Sequence, residues 1–380
     1  MKELKGIAWN HMRGFVSVVS TAQRYEELNP NVRITWEKRS LQAFADASME
    51  QLASAYDLIV MDHPHTALAA ESGVLAPLDE ILPAAFLQDQ ADNSVGGSHQ
   101  SYQYKGHQWT LATDAATPIA TWRPDLMTER KLDLPKTWED VLSLAKDGQV
   151  AVSLFPVDVL MHLYMFCEAL GSPAFADENR LAPDDILAEA LQQLKQLGAF
   201  CGPESFERNP ILTAEHMTQT DDAAYCPFAY GYSNYSRPDY APKLLKAGGL
   251  VQFGGRPLRS TLGGAGLAVS SKSAHRAVAA DYARFSAAPE TQKGIYFEAG
   301  GQPGHRTAWT DARVNAASSD FFKDTLATHD EALLRPQYAG YVHFQDNASP
   351  VAHAAVANRM PIADAIIQLN AIYGQSRRKG

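Results

Sequence analysis

The sequence predicts an α/β protein built as two lobes, and three observations carry that expectation. At 380 residues the chain is longer than one hydrophobic core ordinarily supports. Its first part alternates strand-like and helix-like segments, the order that builds a parallel sheet. No internal repeat or low-complexity linker separates the halves, so a two-lobed chain passes between its lobes more than once.

The elements follow from periodicity and punctuation. "LKGIAWN" reads as a strand and "FVSVVSTAQRYEELN" as an amphipathic helix stopped by Asn29 and Pro30. "VRITWEKRS" is then a strand, "LQAFADASMEQLAS" a helix, "YDLIVMD" a fully apolar strand and "HTALAAESG" a helix ended by Gly73. From "HQWTLATDAATPIATWRPDLM" the pattern changes to β-branched segments joined by Asp and Pro, as expected of strands that run between lobes. "TWEDVLSLAKDG" opens on Thr137 with Asp140 three residues on, which approximates a capping box. "VAVSLFPVDVLMHLYMFCEALGS" predicts a strand, a Pro turn and a long apolar helix, and "PDDILAEALQQLKQLGAFCG" an amphipathic helix closed by Gly202. The aromatic-dense "AAYCPFAYGYSNYSRPDYA" and the Gly-rich, strand-like "GGRPLRSTLGGAGLAVSSKS" follow. A helix, a Pro break, a second helix and a Gly-rich turn come next, and the tail closes with helices near "DFFKDTLATHDEALL" and "MPIADAIIQLNAIYG".

Composition excludes several classes. A content of 46% apolar and 20% charged residues is that of a globular chain, and a formal charge of -10 repels nucleic acid. No stretch approaches the roughly 18 consecutive apolar residues of a membrane span. "MKELK" leads straight into the first strand without the apolar region of an export signal. A cytoplasmic location is therefore expected if Met1 is native. Cys167, Cys201 and Cys226 lie far apart without metal or redox spacing and read as buried thiols.

In open parallel sheets ligands collect at the carboxyl ends of strands, which singles out "WNHMRG" after the first strand and "DHPHT" after the third. Trp9, Asn10, His11 and Arg13 combine a flat apolar face with amide, imidazole and guanidinium groups suited to hydroxyls or a carboxylate. Gly14 lets the next helix begin close to a ligand. The competing reading packs Trp9 in the core and leaves Arg13 a solvated loop cation. Asp62, His63 and His65 form a second candidate wall. As zinc ligands they are disfavoured, because Pro64 between the histidines fixes no geometry and no third cluster is visible. Asp114 and Thr117, in "TLATDAATP", either grip ligand hydroxyls or cap turn backbone. Tyr230 and Tyr232 flank Gly231 within an alternating aromatic run that otherwise reads as a core-packing strand. Gly263 and Gly264 offer either N–H groups to a ligand or a hinge. Ser153, Phe155 and Asp158 are weaker candidates of the same kind.

The ordered segments "IAWNHMRG", "YDLIVMDHPH", "GVLAPLDEIL", "YKGHQWTLATDAATPIATWRPDLMTERKLDLPKTWEDVLSLAK" and "LGGAGLAVSSKSAHRAVAADYARFSAAPETQ" resemble the family 1 extracellular solute-binding proteins, the ligand-capturing components of ABC importers. The similarity covers nearly the whole chain. It departs at Trp122 and Arg123, where the family has a tyrosine or phenylalanine before the basic residue, and in lacking the family's signal peptide.

The resemblance implies a two-lobe, periplasmic-binding-protein-like type II fold with a ligand cleft between the lobes and closure by hinge motion. It implies lobe one as 1–113 plus 261–310 and lobe two as 114–260 plus 311–380. It further implies a monomer in the periplasm that captures a sugar or related, even anionic, solute, with an ABC permease as partner and neither cofactor nor metal. No catalytic motif such as G-x-S-x-G, H-E-x-x-H or a P-loop is present. The alternative is a cytoplasmic enzyme or ligand sensor on the same fold, using His11, His63 or Cys226. On the binding reading, Trp9→Ala or Arg13→Ala abolishes capture with little loss of stability.

Overall fold

The computed structural model describes residues 1–39 and 48–378. The chain divides into two compact units, Met1–Ala116 with Gly263–Ala316 and Thr117–Leu262 with Ala317–Gly380. Its path therefore changes unit at Ala116/Thr117, at Leu262/Gly263 and at Ala316/Ala317.

The first unit is built on a five-stranded sheet. Its strands are β1 (Lys2–Trp9), β2 (Val32–Arg39), β3 (Leu58–Asp62), β6 (Thr110–Leu111) and β12 (Ala265–Val269), in the order β2-β1-β3-β12-β6. The hairpin β4 (Gln103–Tyr104) and β5 (His107–Gln108) lies outside it. β1 pairs in parallel with β2 and β3, as the strand and helix alternation predicts, and β12 runs antiparallel to β3. β3 and β12 carry near-continuous apolar residues because both faces are covered. Along β3, Leu58 and Val60 join one core with the helices Ser17–Leu28 and Arg276–Ala287, through Val18, Ala22, Ala279 and Ala283. Ile59 and Met61 join the opposite core with Leu52 of the Met49–Ala55 helix and Ala69 of the Thr66–Glu71 helix. The period-two alternation of side chains is what splits one strand between two cores. The helix expected over 41–54 is seen as Met49–Ala55, and its positions 41–47 lie outside the described residues.

The second unit is mostly helical, around a three-stranded antiparallel sheet of β7 (Pro118–Trp122), β8 (Tyr225–Tyr230) and β9 (Lys246–Gly248), in the order β8-β7-β9. A hairpin of β10 (Gln252–Phe253) and β11 (Arg256–Pro257) is added. Between the pairs Ile119–Ala229 and Thr121–Cys226 the register shifts, so Ala120 faces both Pro227 and Phe228. That bulge on an edge strand accommodates a proline, which has no N–H for a ladder. It also brings Tyr225 and Phe228, three residues apart, into one core, while Cys226 and Ala229 enter another. In the first of these cores Trp138 lies 4.9 Å from Phe166 and 5.9 Å from Phe228, centroid to centroid. Thr137 does form a capping box with Asp140.

One expectation fails here. The segment 150–155 is not a ladder strand: Ala151 N–H bonds to Tyr225 O, but Leu154 N–H bonds to Ser205 O on another segment. With its partners divided, the apolar run is extended without being paired along its length. The long helix then begins at Pro156, as the sequence predicts, and runs to Ala169.

Candidate functional site

The polar segments singled out in the first unit meet at one edge of its sheet. β1 and β3 run in parallel, β12 begins at Ala265 opposite Asp62, and β6 is antiparallel to β12. The ends of β1, β2, β3 and β6 and the start of β12 therefore share an edge, and Asn10–Gly14, His63–His65, Ala112–Asp114 and Gly263–Gly264 extend from it.

Arg13 and Asp114, 101 residues apart, pair with each other at this edge. Arg13 Nε donates to Asp114 Oδ2 at 2.7 Å and its terminal nitrogen to Oδ1 at 2.5 Å, with both side chains at most 5% exposed. Oδ1 also accepts the Ala265 N–H at 3.2 Å. Three charge-assisted hydrogen bonds inside a low-dielectric environment fix the first loop, the β6 extension and the start of β12 together. Tyr102, buried, adds a second tie, its hydroxyl lying 3.2 Å from Met61 O and 3.4 Å from Gly264 O.

Trp9 is 6% exposed and packs in the core shared by Val18 and Ala22. A Cβ on Gly14 would lie 2.4 Å from its indole, so this glycine makes room for Trp9. Trp9 and Arg13 are both buried, so truncating either is expected to cost stability, where the sequence reading expects little loss.

His11 shapes the start of the first helix. Its Nδ1 accepts the Arg13 N–H at 3.1 Å, while Gly14 and Phe15 N–H bond to His11 O at 3.1 and 2.8 Å. A ring nitrogen that accepts carries no proton, so the proton resides on Nε2. Burial and the nearby Arg13 charge push the imidazole pKa down to about 4, which makes it a neutral donor at neutral pH. Asn10 is exposed, and Asp62 and His65 are half-buried. His63 is buried, edge-on to Tyr102 at 6.3 Å. Among the described residues no group of three or more His, Cys, Asp or Glu could hold a metal ion.

Gly263 N–H bonds to Ala116 O at 2.8 Å. Gly264 has φ +93°, and a Cβ there would meet Asp114 O at 2.5 Å. Both requirements belong to the backbone, and only glycine meets them without strain.

In the second unit, Thr117 Oγ1 donates to Thr261 O at 3.0 Å and Thr117 O accepts Gly231 N–H at 3.2 Å. Tyr230 Oη lies 3.4 Å from Thr261 Oγ1. Tyr230 and Tyr232 are half-buried, and a Cβ on Gly231 would strike Ile119 at 2.6 Å. Behind them is a cavity of about 20 Å³ lined by Thr121, Thr213, Cys226, Tyr230, Tyr232 and Tyr235, room for about one water.

The pairing of Arg13 with Asp114 and the tie through Tyr102 escape sequence reasoning. No local pattern signals a contact made across a hundred residues.

Residues 20–308 match the family model of the bacterial extracellular solute-binding proteins. Solved structures agree over the whole length. The maltose-bound MalE3 of T. maritima is 18% identical with a TM-score of 0.83, covering 98% of this chain and 99% of that one. A solute-binding protein of Thermotoga lettingae bound to α-D-tagatose is 17% identical with a TM-score of 0.84, covering 99% and 100%. One from Agrobacterium radiobacter in complex with ribitol is 19% identical with a TM-score of 0.82, covering 98% of each chain. The architecture is thus the mixed α/β fold of the MalE-like type II periplasmic binding proteins, and this chain belongs to the bacterial extracellular solute-binding protein family.

Proposed function

We propose that this chain captures a neutral sugar or polyol for ABC-type uptake, acting by binding and handing its solute to a permease without chemical turnover. The observation that carries the choice of ligand is the spent charge of Arg13. A guanidinium engaged by a bidentate carboxylate attracts no second anion with full strength, and the neighbouring His11 is neutral at physiological pH. Asp62, half-buried at the end of β3 on the same sheet edge, offers carboxylate oxygens suited to hydroxyl donors.

On this reading Asn10, His11, Asp62 and His65 contact the solute in the first unit, and Tyr230 and Tyr232 supply aromatic faces in the second. Trp9, Arg13, Gly14, His63, Asp114, Thr117, Gly263 and Gly264 hold those segments in shape. The maltose, tagatose and ribitol in the related structures set the panel to try first.

Calorimetric titration with maltose, tagatose, ribitol and mannitol, and with the corresponding sugar acids, tests the proposal. A neutral member is expected to bind, with at least about tenfold weaker affinity in Asn10→Ala and Tyr232→Ala, a loss of about 1.4 kcal/mol each. Binding confined to the acids, or unchanged affinity in both variants, overturns it.

A further inference from the structure

In the second unit the third residue of the long Pro156–Ala169 helix is an aspartate with almost no access to water. Asp158 is 2% exposed and Ser153 is fully buried. Ser153 Oγ lies 2.6 Å from Asp158 Oδ2 and 2.9 Å from Arg208 O. A serine hydroxyl has one proton, and a backbone carbonyl only accepts. If Asp158 were ionised, two acceptors would compete for that single proton. If Asp158 is the acid, its O–H donates to Ser153 Oγ, whose own O–H donates to Arg208 O, and all three groups are satisfied.

We infer that Asp158 is held as the neutral acid and that the Asp158–Ser153–Arg208 chain is a proton-dependent latch, joining the start of this helix to the loop at Arg208.

Among the described residues, no cation is found beside Asp158 to compensate its charge. One turn along the same helix His162 is 1% exposed, both its ring nitrogens lack a hydrogen-bond partner, and it packs on Phe228 at 4.3 Å. Burial pushes its pKa down to about 3, so it stays neutral. On the adjacent β8, burial pushes the Cys226 thiol up to about 12. The charge of Arg208 bears instead on His216, lowering its pKa alongside the larger effect of burial. The positive end of the helix favours an anion at this position. It is opposed by full desolvation, the dominant influence, and the Asp158 pKa rises to about 7.

The folded state therefore keeps a proton that the unfolded chain releases near pH 4. The latch stabilises fully below that pH, and its contribution falls as pH rises towards 7.

Urea unfolding of the wild type and of Asp158→Asn between pH 5 and pH 8 tests this, because an asparagine amide reproduces the donor of the neutral acid. The wild-type unfolding constant is expected to rise about tenfold per pH unit relative to the variant up to about pH 7, then run parallel. Parallel behaviour throughout, or a variant destabilised equally at every pH, overturns the latch. Should Asp158→Asn fail to fold, infrared spectra of wild type carrying ¹³C-labelled aspartate decide. A protonated-carboxyl band at pH 6 that vanishes by pH 8.5 supports it, and no such band at pH 6 refutes it.

Discussion

Arg13 in the first unit and Arg123 in the second are both buried, and for different ends. Arg13 in the first unit meets Asp114, whose side chain is 1% exposed, so both charges have left water. Arg123 in the second is itself fully buried, yet it reaches Asp125 and Asp221, which are 44% and 67% exposed. It also donates to Met217 O and Thr220 O, each at 2.7 Å, at the carboxyl end of the Pro210–Gln219 helix. Arg13 thus neutralises a second buried charge, whereas Arg123 places a cation where a helix dipole and its unsatisfied carbonyls ask for one. In the first case removing either partner strands a charge. In the second, the carboxylate partners of a lost arginine return to solvent.

The largest expected effect follows. Asp114→Ala removes the buried carboxylate to which both the desolvated Arg13 guanidinium and the Ala265 N–H donate, a cost of about 3–5 kcal/mol. Replacing the pair together, Arg13→Met with Asp114→Leu, is expected to recover most of that loss. Urea unfolding of the three variants measures it, and a loss below about 1 kcal/mol in Asp114→Ala would end the distinction between the two arginines. The same place is probed by Gly264→Ala. Its Cβ strikes the Asp114 carbonyl at a φ of +93°, so overpacking adds to left-handed strain for about 3 kcal/mol. A smaller loss would mean that the β6 extension yields, and that Asp114 is held less firmly than its hydrogen bonds imply.

Much of the first unit was legible in the sequence because its signals are local. The apolar runs of β1 and β3, the helix stops and the polar strand ends all lie within short windows. That these ends share one sheet edge follows from a parallel order, so the sequence alone places Asn10, His11 and Asp62 together. What the polar groups do there was not legible. Arg13 reads as a ligand contact or a solvated cation, and the structure shows it buried against Asp114, a partner 101 residues away. Gly14 reads as space for a ligand, but the space is filled by Trp9. In the second unit the aromatic run from Tyr225 suggests simple alternation, and the bulge at Pro227 redirects it.

Arg123→Met tests the other half of the comparison. Two bonds to carbonyls are lost, while Asp125 and Asp221 become solvated, so a loss of about 2 kcal/mol is expected at neutral pH. The Arg123 hydrogen bonds hold the Asp125 carboxyl down to about 2. A carboxylate with a depressed pKa contributes stability above its ordinary value near 4, and loses it as pH falls towards 2. The gap between wild type and Arg123→Met should therefore narrow between about pH 4 and pH 2 in acid unfolding. A gap that is constant with pH assigns the whole effect to the carbonyls.

The smallest effect separates the units by the pH at which they respond. His11→Ala removes the acceptor for the Arg13 N–H, a capping loss of about 1 kcal/mol, and His11→Asn restores an acceptor. With the folded pKa down to about 4 and the unfolded value near 6.5, the unfolded chain binds more protons between them. Wild type consequently loses stability relative to His11→Asn as pH falls from about 6.5 to 4, above the range in which the Arg123 and Asp125 pair responds. Differential unfolding curves for the two variants should thus separate into an upper and a lower acid window. Loss of the upper window would show that burial and the Arg13 charge bear on His11 less than its position demands, and that the first loop is solvated instead of closed over its ion pair.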